Sequence, residues 1–313
     1  MTSLLRGSPS ARLDEAFRHA IAAGAGARGE PPLIGVEHEF RVSLAGRAVD
    51  ARQIIHRLPI DGLRLDAADR DAYRLRSGAA ITADGREAEI AIAPVELGPW
   101  SASLATARAR NARAELAAAL GPEAALEGYS THISISVPDR IVERVARSYA
   151  ERFAPAMLLF VDGPASPGLL VRPRPGRLEL GGDFVDGDRL RIALTFALGS
   201  VLAVVAAERG RLRRRQQLPD RLSLTIEPAR ERFGWFVAGT AAGGDLHRDG
   251  RSAALTTRDG RRLTGQAHLA ATWRAARGRL VGRVLDDDLA LVDAVVRGSA
   301  PLAVEARGEG TVA

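Results

Sequence analysis

The sequence predicts an α+β protein in which short strands and helices follow one another over 313 residues. Residues 33–40 alternate strictly between apolar and polar side chains, and similar runs recur at 87–93 and 129–137. A two-residue period of this kind is typical of a half-buried strand. Residues 101–120 and 192–207 are longer and rich in Ala, Leu and Val, which favours helices.

The composition excludes several classes of function. Cysteine is absent, so a disulfide framework, a thiolate metal site and a cysteine nucleophile are excluded. The first eight residues lack the apolar core of a secretory signal. The apolar run 192–207 is shorter than the roughly 20 residues that a membrane span requires. We therefore expect a cytoplasmic protein with no membrane partner.

The charge of the chain raises the question of nucleic acid, because the net charge is +6 and the pI is near 10.8. Every basic residue is arginine, however, and the bias runs through the whole sequence. The one dense cluster, residues 209–215, follows the predicted helix 192–207, where cations suit the helix C-terminus. Aromatic residues make up only 4% of the chain. This pattern argues against nucleic acid as a partner.

The first predicted strand places two carboxylates side by side. Residues 11–23 predict a short amphipathic helix, and residues 24–29 predict a glycine-rich linker before the strand at 33–40. Glu37 and Glu39 project from one face of this strand. The other face carries Ile34, Val36, His38 and Phe40. Two adjacent carboxylates repel each other unless they are solvated or share a cation. The strand therefore indicates either a site for a hard divalent metal or the solvent-facing edge of an antiparallel sheet.

The next segments predict a hairpin that carries further carboxylates. Ala45-Gly46 indicates a turn into a second short strand, and Asp50 can cap a helix that contains Ile54, Ile55 and Leu58. Residues 62–80 show poor periodicity, which predicts irregular structure. Asp84-Gly85 is a hairpin signal between two strand-like runs. In the second run Glu87 and Glu89 share a face, and Glu96 follows just after Pro94.

The third predicted strand, residues 129–137, has a polar and an apolar face. Ser130, His132, Ser134 and Ser136 form the polar stripe. The predicted apolar face carries Tyr129, Ile133, Ile135 and Val137. Four polar side chains in line indicate either a functional surface or a solvated, serine-rich sheet face. An amphipathic helix is predicted next, over residues 141–153.

The segment 171–180 concentrates arginines around one glutamate. Arg172 and Arg174 alternate along an extended piece, and after the Pro175-Gly176 bend Arg177 and Glu179 share a face. The prolines disfavour a helix here. Three guanidinium groups beside a carboxylate suit a triphosphate with bound metal, although an exposed arginine-rich strand gives the same pattern.

The C-terminal third carries fewer signals. Residues 222–227 and 233–238 predict two more strands, and residues 263–277 and 289–296 predict helices. We expect Trp235 and Trp273 in the core or in a pocket wall, and His247 and His268 in structural or surface positions. Without a repeat or a low-complexity tail, the chain predicts one domain over residues 1–313. Its core motifs lie at 33–205, and residues 220–313 are expected to close over the sheet.

Taken in order, these motifs resemble a known family. Gly-Val-Glu-His-Glu-Phe is followed by Glu89-Ile90-Ala91 with Pro94 and Glu96, by Gly128-Tyr129-Ser130-Thr131-His132, and by Arg177-Leu178-Glu179 before a long apolar helix. This order is similar to that in the glutamate-cysteine ligase branch of the glutamine synthetase-type carboxylate-amine ligases. The resemblance covers roughly residues 33–205. It implies a curved antiparallel sheet, an open half-barrel with helices on its outer face and metal-binding glutamates on its concave face.

The resemblance also implies the site residues and the cofactors. The implied metal ligands are Glu37, Glu39, Glu89, Glu96 and Glu179. His132, Ser134, Arg172 and Arg174 match the residues that bind nucleotide, and Arg172 and Arg177 match those that neutralise charge during catalysis. The implied cofactors are ATP and Mg²⁺, for which Mn²⁺ can substitute. The substrates are a small-molecule or peptide carboxylate and an amine, and homo-oligomeric assembly stays open.

Two positions depart from the family pattern. Ser134 stands where relatives often have a second histidine, and Gly181 stands where they often have arginine. Substrate handling can therefore differ, and activity can be altered or lost. Two alternatives to the ligase remain: a phosphotransferase on the same scaffold, and a non-catalytic module that binds nucleotide or an acidic partner.

Overall fold

The computed structural model describes residues 31–66, 69–163, 166–211, 223–224, 229–231 and 234–303. The predicted helix 11–23 and the linker 24–29 lie outside the described residues. So do most of the arginine cluster 209–215 and most of the predicted strand 222–227.

One large antiparallel sheet organises these residues. Twelve strands belong to it, in the spatial order β11-β12-β9-β10-β8-β1-β6-β5-β4-β3, with β2 and β7 also paired to β1. The strands are β1 (Leu33–Leu44), β2 (Arg47–Val49), β3 (Gly62–Asp66), β4 (Asp69–Leu75), β5 (Ala80–Asp84), β6 (Glu87–Ala91), β7 (Val95–Glu96), β8 (Ala124–Ser136), β9 (Leu169–Arg174), β10 (Arg177–Asp183), β11 (Ala229–Glu231) and β12 (Gly234–Val237). A separate small hairpin consists of β13 (Ala254–Thr256) and β14 (Arg262–Thr264).

Helices cover one face of the sheet. They are α1 (Ala51–Ile54), α2 (Ser101–Leu120), α3 (Asp139–Arg152), α4 (Ala154–Val161), α5 (Gly187–Arg211), α6 (Leu246–Asp249), α7 (Gly265–Arg277) and α8 (Asp286–Arg297). Apolar residues of β1, β8 and β10 pack with α3, α4 and α5 in one hydrophobic cluster. A second cluster joins Phe40 and Ile90 to Ala112 and Leu116 of α2. The observed architecture is therefore α+β with a large antiparallel sheet, as predicted.

Strand β1 lies at the centre of the sheet, between β8 and β6. Ile34, Val36, His38 and Phe40 are buried on the helical side, which confirms the predicted alternation. A side-chain period of two then places Glu37 and Glu39 on the opposite face. Paired residues in neighbouring strands project from the same face, so the polar residues of β6, β8 and β10 join them there.

Helix α5 contains the apolar run that the sequence indicates. Over residues 187–209 it is long and apolar enough to cross a membrane, but 78% of its most apolar window is buried inside the protein. This burial is typical of a core helix. Helices α7 and α8 pack against α5, and an ion pair of 2.5 Å joins Arg191 to Asp288. Helices α7 and α8 thus lie on the helical side, whereas β11 and β12 extend the sheet beyond β9. That residues 220–313 close over the sheet stays a prediction.

Three local predictions differ from the structure. Residues 62–80 contain the strands β3 and β4; their alternation is hidden because this hairpin lies at the sheet edge, with Leu63 78% exposed. The helix after Asp50 is only α1 followed by one 3₁₀ turn, which ends before Leu58. Tyr129 is 43% exposed, because a bulge in β8 opposite Glu39 and Phe40 shifts the register.

Candidate metal and phosphate site

The register of the central strands brings the predicted glutamates onto one face. Glu39 of β1 lies opposite Glu89 of β6, and Glu37 lies opposite His132 of β8. On the far side of β8, Glu179 of β10 lies opposite Ser134. Residues from four strands therefore share one polar surface, although more than 140 positions separate the first from the last in sequence.

An acidic cluster forms one end of this surface. Carboxylate oxygens of Glu39, Asp84 and Glu89 all lie within 4.8 Å of one another. Glu39 is 8% exposed and Glu89 is 3% exposed, so water screens their charges poorly. Burial raises the pKa of Glu39. Burial, reinforced by the charges of Glu37, Glu39 and Asp84, raises the pKa of Glu89 well above its ordinary value.

One atom of this cluster lacks a partner. Oε1 of Glu89 is buried without a hydrogen bond in the described part of the chain. A buried acceptor left unsatisfied costs free energy, and a carboxylate among carboxylates costs more. A bound divalent cation would satisfy the oxygen and remove the repulsion. Oxygen ligands of this kind suit Mg²⁺ and Mn²⁺, so the donor set fits the metal that the resemblance implies.

His132 lies between the acidic cluster and the next strand. Its Nδ1 is 3.6 Å from Oε2 of Glu37 and 3.9 Å from Oε1 of Glu39. Burial lowers the pKa of His132, but the hydrogen bond with Glu37 and the negative charges of Glu179 and Glu39 outweigh burial and raise the pKa to about 9. Ser130 completes this region, because its Oγ donates to Oε2 of Glu39 at 2.8 Å.

Three arginines surround Glu179 at the other end of the surface. Arg172 is 2.8 Å from Oε1 of Glu179, whereas Arg174 and Arg177 lie 3.3 and 3.4 Å from Oε2. Burial alone would raise the pKa of Glu179, but the charges of Arg172, His132, Arg174 and Arg177 lower it to about 2. The carboxylate is 1% exposed. One anion thus holds three cations in place, and this end of the site carries excess positive charge.

Ser134 also lies within this cluster. Its Oγ accepts a hydrogen bond of 3.2 Å from Nε of Arg177, and both residues are 1% exposed. Arg177 is therefore fixed from two sides, by Ser134 and by Glu179. The Ser134 hydroxyl therefore helps to orient the guanidinium group of Arg177.

Glu96 is the predicted site residue that the structure places apart from the others. It pairs with Leu33, four residues before Glu37 on β1, and it is exposed. Four residues of strand correspond to roughly 13 Å. The β-strand that follows Pro94 is only two residues long, and it places Glu96 beside the first residue of β1 rather than in the acidic cluster.

Asp84 is a candidate ligand that the sequence motifs do not indicate. It ends β5 and pairs across the hairpin with Glu87. The Asp84-Gly85 signal identifies the turn correctly, and Gly85 has the positive φ of 59° that such a turn requires. Because Asp84, Glu87 and Glu89 share one face of the hairpin, the same signal could have added Asp84 to the acidic set.

Comparison with known proteins gives structural likenesses alone. No protein-family model matches the sequence, and no curated protein matches it. The chain is similar to the ligase PafA in its complex with the prokaryotic ubiquitin-like protein Pup, at 14% identity and a TM-score of 0.49 over 86% of this chain and 64% of that chain. The Pup ligase PafA in complex with ADP aligns at 14% identity and a TM-score of 0.40, over 95% of this chain and 66% of that one.

A third solved structure, described as a novel glutamine synthase homolog, aligns at 15% identity with a TM-score of 0.30, covering 91% of this chain and 74% of that chain. This chain spans slightly less than two thirds of each PafA chain. The geometry of the site, and not these likenesses, is the basis for the function proposed below.

Proposed function

We propose that this protein is an ATP- and Mg²⁺-dependent carboxylate-amine ligase that forms an amide bond through an acyl phosphate. It would belong to the glutamine synthetase-type superfamily, as the sequence motifs suggest, and to the glutamate-cysteine ligase-like branch. In this proposal the chain is one cytoplasmic domain, and its sheet curves into an open half-barrel around the site. The substrates are a small-molecule or peptide carboxylate and an amine.

The observation that supports the proposal most strongly is the separation of charge across one sheet face. The cluster of Glu39, Asp84 and Glu89 is a donor set for a divalent cation. The arginines around Glu179 form a counterpart for phosphate oxygens. A metal-bound triphosphate carries both kinds of charge, so its cation and its phosphates match the two ends of the surface.

The residues divide into two groups in this proposal. Mg²⁺ would be held by Glu37, Glu39, Asp84 and Glu89, and by Glu179 from the basic end. His132 and Ser134 face the nucleotide together with Arg172 and Arg174. Arg172 and Arg177 neutralise negative charge as the phosphoryl group moves. When bound, Mg²⁺ would offset the negative charge of the phosphates.

The chemistry needs no nucleophilic side chain, which agrees with the absence of cysteine. An oxygen of the substrate carboxylate attacks the γ-phosphorus of ATP, the bond to the bridging oxygen breaks, and ADP leaves. The amine nitrogen then attacks the carbonyl carbon of the acyl phosphate. Inorganic phosphate leaves, the amine loses a proton, and the products are an amide, ADP and phosphate.

The proposal is tested with the purified chain, Mg-ATP and a panel of carboxylates that includes amino dicarboxylates and peptides. Hydroxylamine serves as a general amine, because it converts acyl phosphates into hydroxamates. We expect carboxylate-dependent ADP release and hydroxamate formation, both lost when Glu37→Ala and Glu89→Ala are combined. The same double variant, matched in purity and folding by circular dichroism, is the control for contaminating ATPases.

Other outcomes contradict the ligase. ADP with a phosphorylated acceptor, but without condensation, would identify a phosphotransferase on this scaffold. Binding of Mg-ATP without turnover across the panel would identify a non-catalytic nucleotide-binding protein. Failure of the wild-type chain to bind Mg-ATP at all would refute the assignment of the site itself.

A further inference from the structure

Gly181 of β10 lies directly opposite His132 of β8. Paired residues project from the same face of a sheet, so a side chain at position 181 would point toward the imidazole. A Cβ atom built on Gly181 would lie 2.9 Å from Cδ2 and 3.2 Å from Nε2 of His132. The imidazole ring therefore fills the space that any other residue at position 181 would need.

The backbone of Gly181 is not what requires glycine. Gly181 does not have a positive φ, unlike several other glycines of the described chain. Alanine can readily adopt the extended conformation of a strand. Steric exclusion by His132 is thus the obstacle to a side chain here. The ring extends across β10 toward Leu170, whose Cβ lies 3.7 Å from the same built position.

Two carboxylates lie beside the ring on its Nδ1 side. Glu37 and Glu39 are 3.6 and 3.9 Å from that nitrogen, and a larger residue at position 181 would push the ring toward them. The distance between His132 and the glutamates therefore depends on the absence of a side chain at position 181.

We propose that Gly181 is a positioning residue for His132. It leaves room for the imidazole to lie across β10, so that Nδ1 faces Glu37 and Glu39 at the junction of the acidic and basic ends. This inference rests on the proposed function, because it assigns the ring a place in a metal and nucleotide site. It also gives a consequence of the departure noted in the sequence: with glycine in place of arginine at position 181, the space beside this strand is left to the imidazole ring.

The adjacent glycine provides a matched control. Gly182 pairs with Thr131 and faces the helical side, where its built Cβ would lie 2.8 Å from both Val161 and Asp162. Both glycines are in β10 and both substitutions add one methyl group. Only Gly181→Ala pushes on His132. Gly182→Ala lowers the stability of the fold without touching the ring.

The experiment is a double-mutant cycle on Mn²⁺ binding, measured by the electron paramagnetic resonance of free Mn²⁺. We expect Gly181→Ala to weaken the binding by about tenfold or more, the size of effect seen when the support of a metal ligand is lost. In a His132→Ala background the same change should alter the affinity by less than about twofold. Gly182→Ala should leave the affinity within about twofold of the wild type.

Two results would overturn the positioning role. One is a Gly181→Ala variant that binds Mn²⁺ as the wild type does; the other is a loss that persists unchanged in the His132→Ala background. A wild-type chain that binds no Mn²⁺ would instead refute the proposed function. In that case the NMR signals of the His132 imidazole decide the inference: Gly181→Ala must shift them and Gly182→Ala must not.

Discussion

Glu89 is a residue of the candidate site that lowers the stability of the metal-free protein. Its carboxyl group is 3% exposed, its Oε1 has no hydrogen bond in the described part of the chain, and its nearest charged neighbours are other carboxylates. Such an arrangement destabilises the metal-free fold. Natural proteins keep destabilising groups where function requires them.

Replacing this carboxylate should stabilise the protein without metal. Glu89→Gln removes a carboxyl group whose ionisation is opposed by burial and by neighbouring charges, and it gives the neighbouring carboxylates an amide donor. We therefore expect the free energy of unfolding to rise by about 1 kcal/mol or more in the presence of a chelator. Urea unfolding measures this change. The stabilisation by Mg²⁺ should disappear in the same variant. A less stable metal-free variant that still responds to Mg²⁺ would contradict the role of Glu89.

His268 is a buried residue outside the site whose ionisation affects stability. It is 1% exposed, and burial lowers its pKa from 6.5 to about 4. As the pH falls, His268 is therefore protonated at a higher pH in the unfolded chain than in the folded chain. Stability should fall as the pH drops below 6.5, and this loss should be complete near pH 4.

The variant His268→Gln cannot be protonated in this range and should escape that loss. Relative to wild type, its free energy of unfolding should improve by on the order of 3 kcal/mol between pH 7.5 and pH 4. Chemical denaturation at several pH values measures the difference. Parallel pH dependences for the two proteins would show that His268 is not the group responsible.

The positions of individual residues in the structure show how much of the site the sequence can predict. Glu37, Glu39, Glu89, Glu179, His132 and the three arginines lie on one face, because the two-residue period that indicates their strands also fixes the side on which they project. Asp84 was not predicted as a ligand, because Asp84-Gly85 was interpreted only as a hairpin turn. Whether the remaining site assignments hold, including that of Glu96, stays a prediction.

At the scale of elements, long and strongly periodic segments are predicted well. The strand at Glu37 and the helices α2 and α5 follow from local pattern alone. The strands β3 and β4 do not, because this hairpin at the end of the sheet lacks the continuous apolar face that makes the period visible. The exposed position of Tyr129 could not be predicted either, since a bulge is set by pairing with a strand about 90 residues away.

The contact between α5 and α7 supplies a prediction at this scale. A Cβ built on Gly199 of α5 would lie 2.8 Å from the carbonyl oxygen of Ala276 and 2.9 Å from Cδ1 of Leu280. Helix propensity alone would make Gly199→Ala stabilising by about 1 kcal/mol. Because the two helices approach so closely, we expect the opposite sign, a loss of about 1–3 kcal/mol.

Thermal or urea unfolding of Gly199→Ala separates these two effects by sign. The control is Gly278→Ala, because a Cβ built on Gly278 meets no atom closer than 3.6 Å. Gly187→Ala is unsuitable as a control, because Gly187 has a positive φ of 53°. A gain in stability for Gly199→Ala would mean that α7 does not press on α5 as the structure has it.

For the whole molecule, one sheet serves two purposes on its two faces. The helical face buries the apolar residues of β1, β8 and β10 in a common core, which fixes the strands rigidly. The polar face then holds acidic residues at one end and arginines at the other, at positions set by that same register. A rigid sheet can keep like charges close together because the core contributes the stability that the repulsion removes.

This arrangement couples ligand binding to the stability of the whole chain. A ligand that binds only the folded state stabilises it by an amount that grows with its concentration, about 2.7 kcal/mol at one hundred times the dissociation constant. Mg-ATP supplies a cation for the acidic end and phosphates for the basic end. It should therefore stabilise the protein more than Mg²⁺ alone or ATP with a chelator.

Convergence of the carboxylates on a metal-nucleotide site is tested most directly by thermal unfolding of the wild-type chain and of the Glu37→Ala/Glu89→Ala double variant during titration with Mg-ATP. We expect the melting temperature of the wild type to rise with ligand concentration and that of the double variant to stay constant. A wild type that shows no shift, or a double variant that shifts equally, would contradict the claim that these carboxylates converge to bind a metal-nucleotide complex.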